Sequence, residues 1–273
     1  MKGVDIIIPV HEYNADVKSL LTRCLESVKE MAINAKDSNI LTDVVIVGPA
    51  LPSDEIMGLV AWEDKFNSFI VADNNGEAVD FCSQVNFAVN GPCRNDYFMV
   101  VEFDDMVTPK WLTMAVPYIE KRKKVSVFLP LVELYDINDA SVPTGYVNEI
   151  AWSSSFAQNE LGSLDLEALK EYCNFNLTGA IIKKDDFVKA GGLKTSMKLS
   201  FNYELLMRMA NLYGSVFVIP KVGYYHFIGR PDSLTHSYHT TMTQQEGAWW
   251  ITLAGQEYHF KKDRNKVYTP EEK

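Results

Sequence analysis

Short apolar runs alternate with longer segments of helical periodicity through the first hundred residues. Val4 to Val10 is a continuous apolar and β-branched run, typical of a strand buried on both faces of a parallel sheet. After Asn14, a suitable N-cap, apolar residues recur every three or four positions, which predicts a helix. The same reasoning predicts strands at Asp43 to Val47, Ser68 to Ala72 and Tyr97 to Phe103, and helices at about Ser53 to Phe66 and Ala78 to Asn90. This alternation indicates an α/β fold with a mostly parallel sheet flanked by helices.

The second half of the chain is less regular. Pro109 at the first helical position, with Thr108 as its cap, predicts a helix over about residues 110–123. The polar stretch 135–176 is either a substrate-facing excursion or a long surface connection. Apolar patterning predicts the remaining strands at 125–134, 177–182, 216–219 and 223–227, and helices at 184–190, 202–213 and 241–262.

Composition limits the class of protein and its ligands. The chain has 273 residues, of which 47% are hydrophobic, as expected for a folded domain. Its 26 basic and 36 acidic residues give a net charge of −10, which opposes general binding to polyanions or anionic membranes. A phosphate-bearing ligand must therefore be met locally, by a metal, a helix N-terminus or a few cations. No apolar run reaches the roughly 18 to 20 residues of a membrane span, and the four cysteines form no CxxC pair, so we expect a cytoplasmic protein with reduced thiols.

The strongest chemical signal is an acidic cluster directly after a predicted strand. Glu102, Asp104 and Asp105 follow the apolar run that begins at Tyr97. Ligands of parallel sheets lie beyond the carboxyl ends of the strands, and carboxylates there suit Mg²⁺ or Mn²⁺. An acidic turn before a helix N-terminus would also be favourable without any metal. The residues alone leave both interpretations open.

Several separated segments together resemble family 2 glycosyltransferases of the GT-A fold. The resemblance extends over about residues 4–237, and its order and spacing are more specific than any single piece. The segments are Val4-Asp-Ile-Ile-Ile-Pro-Val-His-Glu-Tyr-Asn14, Gln84-Val-Asn86, Asn95 to Asp105 followed by Thr108-Pro-Lys-Trp-Leu112, Thr178 to Lys183 with Gly191-Gly192, Asn202 to Arg208, and Tyr224 to Thr235.

This resemblance implies transfer of a sugar from a nucleotide-diphosphate donor, most simply a UDP-sugar, to an acceptor hydroxyl. It implies that Mn²⁺ or Mg²⁺ is held by Asp104, Asp105 and His226, where it stabilises the charge of the leaving diphosphate. It further implies one domain at residues 1–240, with a nucleotide-binding half at 1–106 and an acceptor-binding half at 107–240, followed by a C-terminal helix and tail at 241–273. The implied donor-binding residues are Pro9, Val10, His11, Glu12, Asp73, Asn86, Glu102, Asp104 and Arg230.

The sequence departs from the family where the catalytic base is expected. Inverting members carry an Asp at the position of Asn202, and an amide cannot accept a proton near neutral pH. Glu204 is the nearest carboxylate, but on a helix it points about 200° away from Asn202. The loop at Gly48 also lacks the acidic residues common in the family, and Asp73 could take part of their role. We therefore expect Glu204, another carboxylate or a group on the acceptor to be the base.

Other functions remain open at this point. The loss of the base also fits a non-catalytic relative that binds nucleotide-sugars or glycans. A nucleotidyltransferase on a similar sheet is a further alternative, although the chain has no GxGxxG or Walker A pattern. The acceptor could be a glycan, a lipid-linked glycan or a protein. A phage-type transfer to hydroxylated DNA bases would need a basic face, for which residues 121–124 and 259–266 are the candidates.

Overall fold

A computed structural model describes residues 1–74, 76, 78–156, 160–230, 233 and 240–268, with side chains up to residue 256. Some positions that the sequence singles out lie outside the described residues. They are the part of the family-like segment at 231–232 and 234–235, and the side chains of the basic tail at 259–266.

The strands form one ten-stranded sheet. In chain order they are β1 (Gly3–Pro9), β2 (Leu41–Gly48), β3 (Ser68–Asp73), β4 (Tyr97–Val100), β5 (Met106–Val107), β6 (Val127–Asp136), β7 (Gly145–Val147), β8 (Ser163–Leu164), β9 (Ile181–Lys183) and β10 (Val216–Ile228). The helices are α1 (Ala15–Asp37), α2 (Ser53–Met57), α3 (Phe81–Asn90), α4 (Trp111–Lys121), α5 (Leu166–Glu171), α6 (Lys184–Lys189), α7 (Phe201–Tyr213) and a final helix, α8 (Gln244–Tyr268).

The sheet order is β3-β2-β1-β4-β9-β6-β10-β5, with β7 on β6 and β8 on β10. The longest pairings, β1 with β2, β2 with β3 and β6 with β10, are parallel. Strand β9 runs antiparallel to both β4 and β6, so β4 and β6 point the same way. The carboxyl ends of β1, β4, β6 and β10 therefore lie along one edge of the sheet, which we call the carboxyl edge.

Helices cover both faces of this sheet, as the apolar run of β1 requires. All seven residues of β1 are buried, with Ile6 and Ile8 in a core layer shared with α1 and Ile7 in the opposite layer with α3 and α7. Alternate residues of a strand point to opposite faces, so a run that is apolar except for Asp5 fits burial on both sides. The α/β class and the helix-flanked sheet predicted from the pattern are confirmed.

Helix α1 begins where the sequence predicts. The Asn14 side chain accepts hydrogen bonds from the backbone N–H groups of Asp16, at 3.1 Å, and Val17, at 2.9 Å. This cap satisfies two of the donors that a helix N-terminus leaves unpaired.

Several predicted elements differ from the structure, and the strand predicted at 177–182 is shorter and later, at Ile181–Lys183. The helix expected over 53–66 ends at Met57, with Gly58 as its C-cap. The helix expected from 110 begins at Trp111, and the Thr108 hydroxyl donates to the Val222 carbonyl at 3.0 Å instead of capping it. The strands expected at 216–219 and 223–227 are one strand, β10, whose register with β6 shifts near Pro220. A bulge absorbs the residue that cannot donate to the ladder.

The final helix extends the domain. Thr243 and Glu246 form a capping box in which the Glu246 N–H donates to the Thr243 hydroxyl at 3.2 Å. Ala254 is buried and Trp250 packs on the core, whereas Trp249 is 55% exposed. Within the described ranges, none of the helices has the length and apolarity needed to cross a membrane.

Candidate active site

The acidic cluster lies in the turn between β4 and β5, at the carboxyl edge. The predicted strand stops at Val100 because the chain turns at Glu102, whose carbonyl accepts a hydrogen bond from the Asp105 N–H at 3.0 Å. The Glu102 N–H in turn donates to the Tyr224 hydroxyl of β10 at 3.0 Å. These contacts fix the backbone that presents the carboxylates.

Asp105 is fully buried and holds the end of β10. Its Oδ2 lies 2.8 Å from His226 Nδ1, and its Oδ1 accepts a hydrogen bond from the Phe227 N–H at 2.8 Å. One ligand atom from each of Glu102, Asp105 and His226 falls within 4.8 Å of the others. The structure thus brings together residues that are more than 120 positions apart.

Asp104 has a different partner. Arg230 Nε donates to its Oδ2 at 2.9 Å, and the Arg230 guanidinium lies 5.2 Å from the centre of the Phe103 ring. Arg23 of α1 donates to the Asp104 carbonyl and lies over the Phe227 ring at 4.0 Å. Asp104 is therefore paired with a cation, and the group of converging ligand atoms contains Glu102 where the sequence predicted Asp104.

The crowding of carboxylates perturbs their titration. Burial, reinforced by the charges of Asp105 and Asp104, raises the pKa of Glu102 to about 8. Burial and the Asp105 charge also raise the pKa of Asp104. Burial acts to lower the pKa of His226, but the neighbouring carboxylates outweigh it and raise that pKa to about 9. Ionising these carboxylates together is therefore unfavourable in the site as it stands, and a bound cation would stabilise their charged forms.

A divalent metal fits this donor set. Carboxylate oxygens from Glu102 and Asp105 with one imidazole nitrogen from His226 suit Mn²⁺, and the carboxylates also suit Mg²⁺. Such an ion would offset both the burial and the like-charge repulsion that raise the pKa of Glu102. No zinc-type cysteine ligand is among these residues.

The predicted nucleoside-facing residues lie at the end of β1. Pro9 and Val10 are buried, and the Val10 N–H donates to the Val47 carbonyl at 2.8 Å. Gly48 is needed beside them, because a Cβ there would lie 2.1 Å from the Val10 carbonyl oxygen. His11 follows, half-buried, and burial lowers its pKa although the Asp104 charge opposes this. His11 is thus electrostatically coupled to the acidic cluster.

Three further residues predicted to bind the donor make their hydrogen bonds with residues outside the acidic cluster. Glu12 is exposed and accepts a hydrogen bond from the Asn14 amide at 3.3 Å. Asp73 is exposed at the end of β3 and accepts from the Ala50 N–H at 3.3 Å. Asn86 makes a two-way pair with the backbone of Leu193, with both distances 2.8 Å. Its amide therefore joins α3 to the loop after α6.

The two predicted catalytic residues lie in the first turn of α7. Asn202 borders an apolar pocket with Phe81, Phe98 and Phe187, and its Oδ1 is buried without a hydrogen-bond partner among the described residues. Glu204 is only 1% exposed.

Both carboxylate oxygens of Glu204 are engaged. Arg208 donates to Oε1 at 3.0 Å and to Oε2 at 2.7 Å, and Lys194 lies 2.9 Å from Oε1. Burial acts to raise the pKa of Glu204, but these two cations lower it. Arg208 also donates to the carbonyls of Ala190 and Gly192. This arrangement favours a structural role for Glu204 over the predicted role of general base.

Sequence reasoning missed two residues that shape the site, Arg23 and Tyr224. Arg23 lies on the predicted α1 with no motif around it, and its partner Asp104 is 81 positions away. Tyr224 was included only as part of the family-like segment. The Tyr224 ring packs so closely against Gly179 that a Cβ at that glycine would lie 2.6 Å from the ring. This contact between distant residues is visible only in the structure.

Comparisons with solved structures establish the fold. S. aureus TarS 1–349 in complex with UDP-GlcNAc matches 94% of this chain and 66% of that chain, with a TM-score of 0.65 and 14% identity. Another TarS 1–349 structure matches 82% and 60%, with a TM-score of 0.58 and 16% identity. The mannosyltransferase PcManGT from Pyrobaculum calidifontis, in complex with GDP-Man and Mn²⁺, matches 84% and 58%, with a TM-score of 0.60 and 13% identity.

No family model and no curated protein matches the chain. The chain spans less than two thirds of the length of each of these three structures. At such identities the likeness defines the architecture, and the predicted GT-A glycosyltransferase fold is confirmed.

Proposed function

We propose that the chain is a metal-dependent glycosyltransferase that moves a sugar from a nucleotide-diphosphate donor to an acceptor hydroxyl. The observation that carries this proposal is the convergence of Glu102, Asp105 and His226 at the carboxyl edge of a GT-A sheet. Solved structures of the same fold contain UDP-GlcNAc or GDP-Man, the latter with Mn²⁺. A UDP-sugar is our proposed donor.

In the proposed reaction the bond between the anomeric carbon and the diphosphate oxygen breaks, and its electron pair leaves with the diphosphate. The acceptor oxygen bonds to the same carbon, and its proton passes to a carboxylate outside the Glu204 ion pairs or to a basic group on the acceptor. The chain's residues 1–106 would bind the donor and residues 107–240 the acceptor.

The residues of the cluster have separate tasks in this proposal. Glu102, Asp105 and His226 would hold Mn²⁺ or Mg²⁺, which when bound stabilises the charge on the departing diphosphate. Arg230, which is paired with Asp104, supplies a cation on the same side. Pro9, Val10 and His11 would line the nucleoside, with Asp73 at the end of β3, two strands away in the sheet.

A second candidate is a binding protein without catalytic activity. Two observations favour it. Asn202 cannot accept a proton, and the Glu204 carboxylate is already paired with Arg208 and Lys194. The donor site would be the same in both cases. Turnover therefore distinguishes the two functions, whereas donor binding does not.

The test is a panel of UDP- and GDP-sugars, measured by thermal shift with and without Mn²⁺ or Mg²⁺ and then by release of the nucleotide. A glycosyltransferase should give a metal-dependent shift and slow metal-dependent hydrolysis, both lost in Asp105→Ala. The matched control, Asp37→Asn at the exposed end of α1, should behave as the wild type.

Binding without any turnover would favour the non-catalytic relative. Absence of a metal-dependent shift with every donor would contradict the proposal itself, provided that the protein is folded by circular dichroism.

A further inference from the structure

A row of tyrosines around one carboxylate crosses three strands next to the carboxyl edge. Glu133 of β6 pairs with Tyr146 of β7 on one side and with Tyr225 of β10 on the other. Residues paired across neighbouring strands point to the same face of the sheet. Tyr135, two residues along β6, lies on this face too, and its hydroxyl donates to Glu133 Oε2 at 2.9 Å. We call these four residues the tyrosine surface.

The tyrosine surface is accessible to solvent, and two of its rings pack against each other. Tyr146 is 50% exposed, and the other three residues are half-buried. The rings of Tyr135 and Tyr225 meet edge to face at 5.6 Å between centroids. Burial and the nearby Glu133 raise the pKa of Tyr135 to about 12, so its hydroxyl stays protonated and remains a donor at neutral pH.

This surface is connected to the acidic cluster through one residue. The Tyr135 ring stacks on the Phe227 ring at 5.7 Å, and the Phe227 N–H donates to Asp105 Oδ1. Side chains alternate along β10, so Phe227 and Tyr225 face the side that carries Arg23 while His226 faces the other. The tyrosine surface is therefore beside the candidate active site and separate from it.

The chemistry of the surface favours a neutral glycan. Pyranose rings offer an apolar C–H face that packs on aromatic rings and hydroxyls that donate to a carboxylate. Glu133 Oε1 has no hydrogen-bond partner in the part of the chain that the structure describes, which leaves an acceptor for such a hydroxyl. The Glu133 carboxylate gives this surface a negative charge, so a polyphosphate or nucleic acid would be repelled.

We propose that the tyrosine surface is a subsite that holds remote sugar units of an extended, neutral glycan acceptor. The proposal rests on the proposed glycosyltransferase function, because it assigns the acceptor class of that enzyme. An acceptor chain that reaches around the sheet edge would gain contacts with the surface that a single sugar could not.

The test begins with binding in the absence of donor and metal. Cello-, chito- and mannotetraose, their monosaccharides and a DNA duplex serve as probes, measured by ligand-observed NMR and calorimetry. We expect at least one tetrasaccharide to bind the wild type and to bind roughly tenfold more weakly to Tyr135→Ala and Tyr225→Ala. Tyr118→Ala, a half-buried tyrosine stacked on Phe217 away from this edge, is the matched control and should bind as the wild type.

The second measurement uses the active donor and metal. The preference for a tetrasaccharide over its monosaccharide, measured as the ratio of kcat/KM values, should fall about tenfold in Tyr146→Ala and Glu133→Gln. The proposal is overturned if all tetrasaccharides bind the variants and the wild type equally, if DNA binds better than the glycans, or if the substitutions change only the oligomeric state in sedimentation. A protein that hydrolyses the donor but fails these tests keeps the proposed function and loses this inference. Glycan binding without turnover of any donor would contradict the proposed function, and the surface would then be a glycan-binding site rather than an acceptor subsite.

Discussion

The two edges of the sheet each carry buried carboxylates, but their partners differ. The opposite edge, near the beginnings of the parallel strands β1 and β2, is called the amino edge here. Its two acids are buried, since Asp5 is 1% exposed and Asp43 is 6% exposed. Asp5 accepts the backbone N–H groups of Arg94, at 3.0 Å, and Asn95, at 2.8 Å, and the Asn95 amide bridges to Asp43 at 2.7 Å. The remaining donors to Asp43 are the side chains of Asn67 and Ser68. Neutral donors thus satisfy both acids.

At the carboxyl edge the partners are cationic and come from a distant strand. Asp105 meets His226, and Asp104 meets Arg230. Glu102 adds a third carboxylate with a raised pKa. A buried acid surrounded by amide and hydroxyl donors is part of the scaffold, because its hydrogen bonds are already complete. Acids that converge with charged partners at a ligand edge retain capacity for a metal.

The largest effect that separates the two edges should come from Asp105→Asn. The amide keeps an oxygen for the Phe227 N–H but loses the charge that would bind the metal. We expect metal-dependent donor turnover to fall by about 10²–10³-fold, in the range for loss of one electrostatic stabiliser, while the thermal unfolding temperature changes little. Nucleotide release and circular dichroism measure the two quantities. Turnover within a factor of three of the wild type would show that Asp105 is structural, like Asp5.

Asp5→Ala should have the opposite profile. It leaves the buried N–H groups of Arg94 and Asn95 without an acceptor, which costs about 1–3 kcal/mol for each group. We expect the free energy of unfolding, from urea titration, to fall by about 2–4 kcal/mol. Donor turnover per folded molecule should be unchanged, and a loss of turnover without a loss of stability would contradict the comparison.

Arg230→Gln should give an intermediate loss confined to the carboxyl edge. It removes the cation from Asp104 and from the proposed diphosphate site, so the donor should bind about tenfold more weakly. Arg230→Lys should recover part of this affinity, because it keeps the charge but not the guanidinium geometry. Calorimetry with the donor and Mn²⁺ makes the measurement, and equal affinity in both variants would exclude a role of the charge.

The smallest effect concerns the pH dependence of stability at the amino edge. Burial raises the pKa of Asp5 above its unfolded value, so the folded state takes up this proton at a higher pH than the unfolded state. The stabilisation from this proton is present at low pH and is lost as the pH rises through the folded pKa. The stability difference between wild type and Asp5→Ala should therefore be larger at pH 4 than at pH 7.5. Urea titrations at both pH values check the sign.

The comparison also explains which features the sequence could predict. Patterns of neighbouring residues predicted the elements that depend on neighbouring residues. The apolar run from Val4 predicts β1, and Asn14 predicts the start of α1. They failed where a tertiary contact decides. Thr108 stands where the sequence predicts a helix N-cap, but its hydroxyl donates a hydrogen bond to the Val222 carbonyl of β10.

The same limit applies to the candidate site. The resemblance implied Asp104, Asp105 and His226 as metal ligands and Glu102 as a donor-binding residue beside them. It placed Arg230 and Asp104 in the same donor-binding set, but nothing in the sequence showed that these two side chains pair with each other. Nor could spacing reveal that Glu204 lies between Arg208 and Lys194, since Lys194 approaches it from a different loop.

The separation of Asp105 from His226 has a consequence for the order in which the molecule becomes competent. Asp105 and His226 are 121 residues apart in the chain. Such non-local contacts form slowly, because the entropy of closing a long loop is lost before the contact contributes any stability. A nascent chain that has emerged only through β9 would already contain the acidic turn and most of the parallel core. It would still lack His226 and Arg230, so the site can form only after β10 and the residues that follow it have joined the sheet.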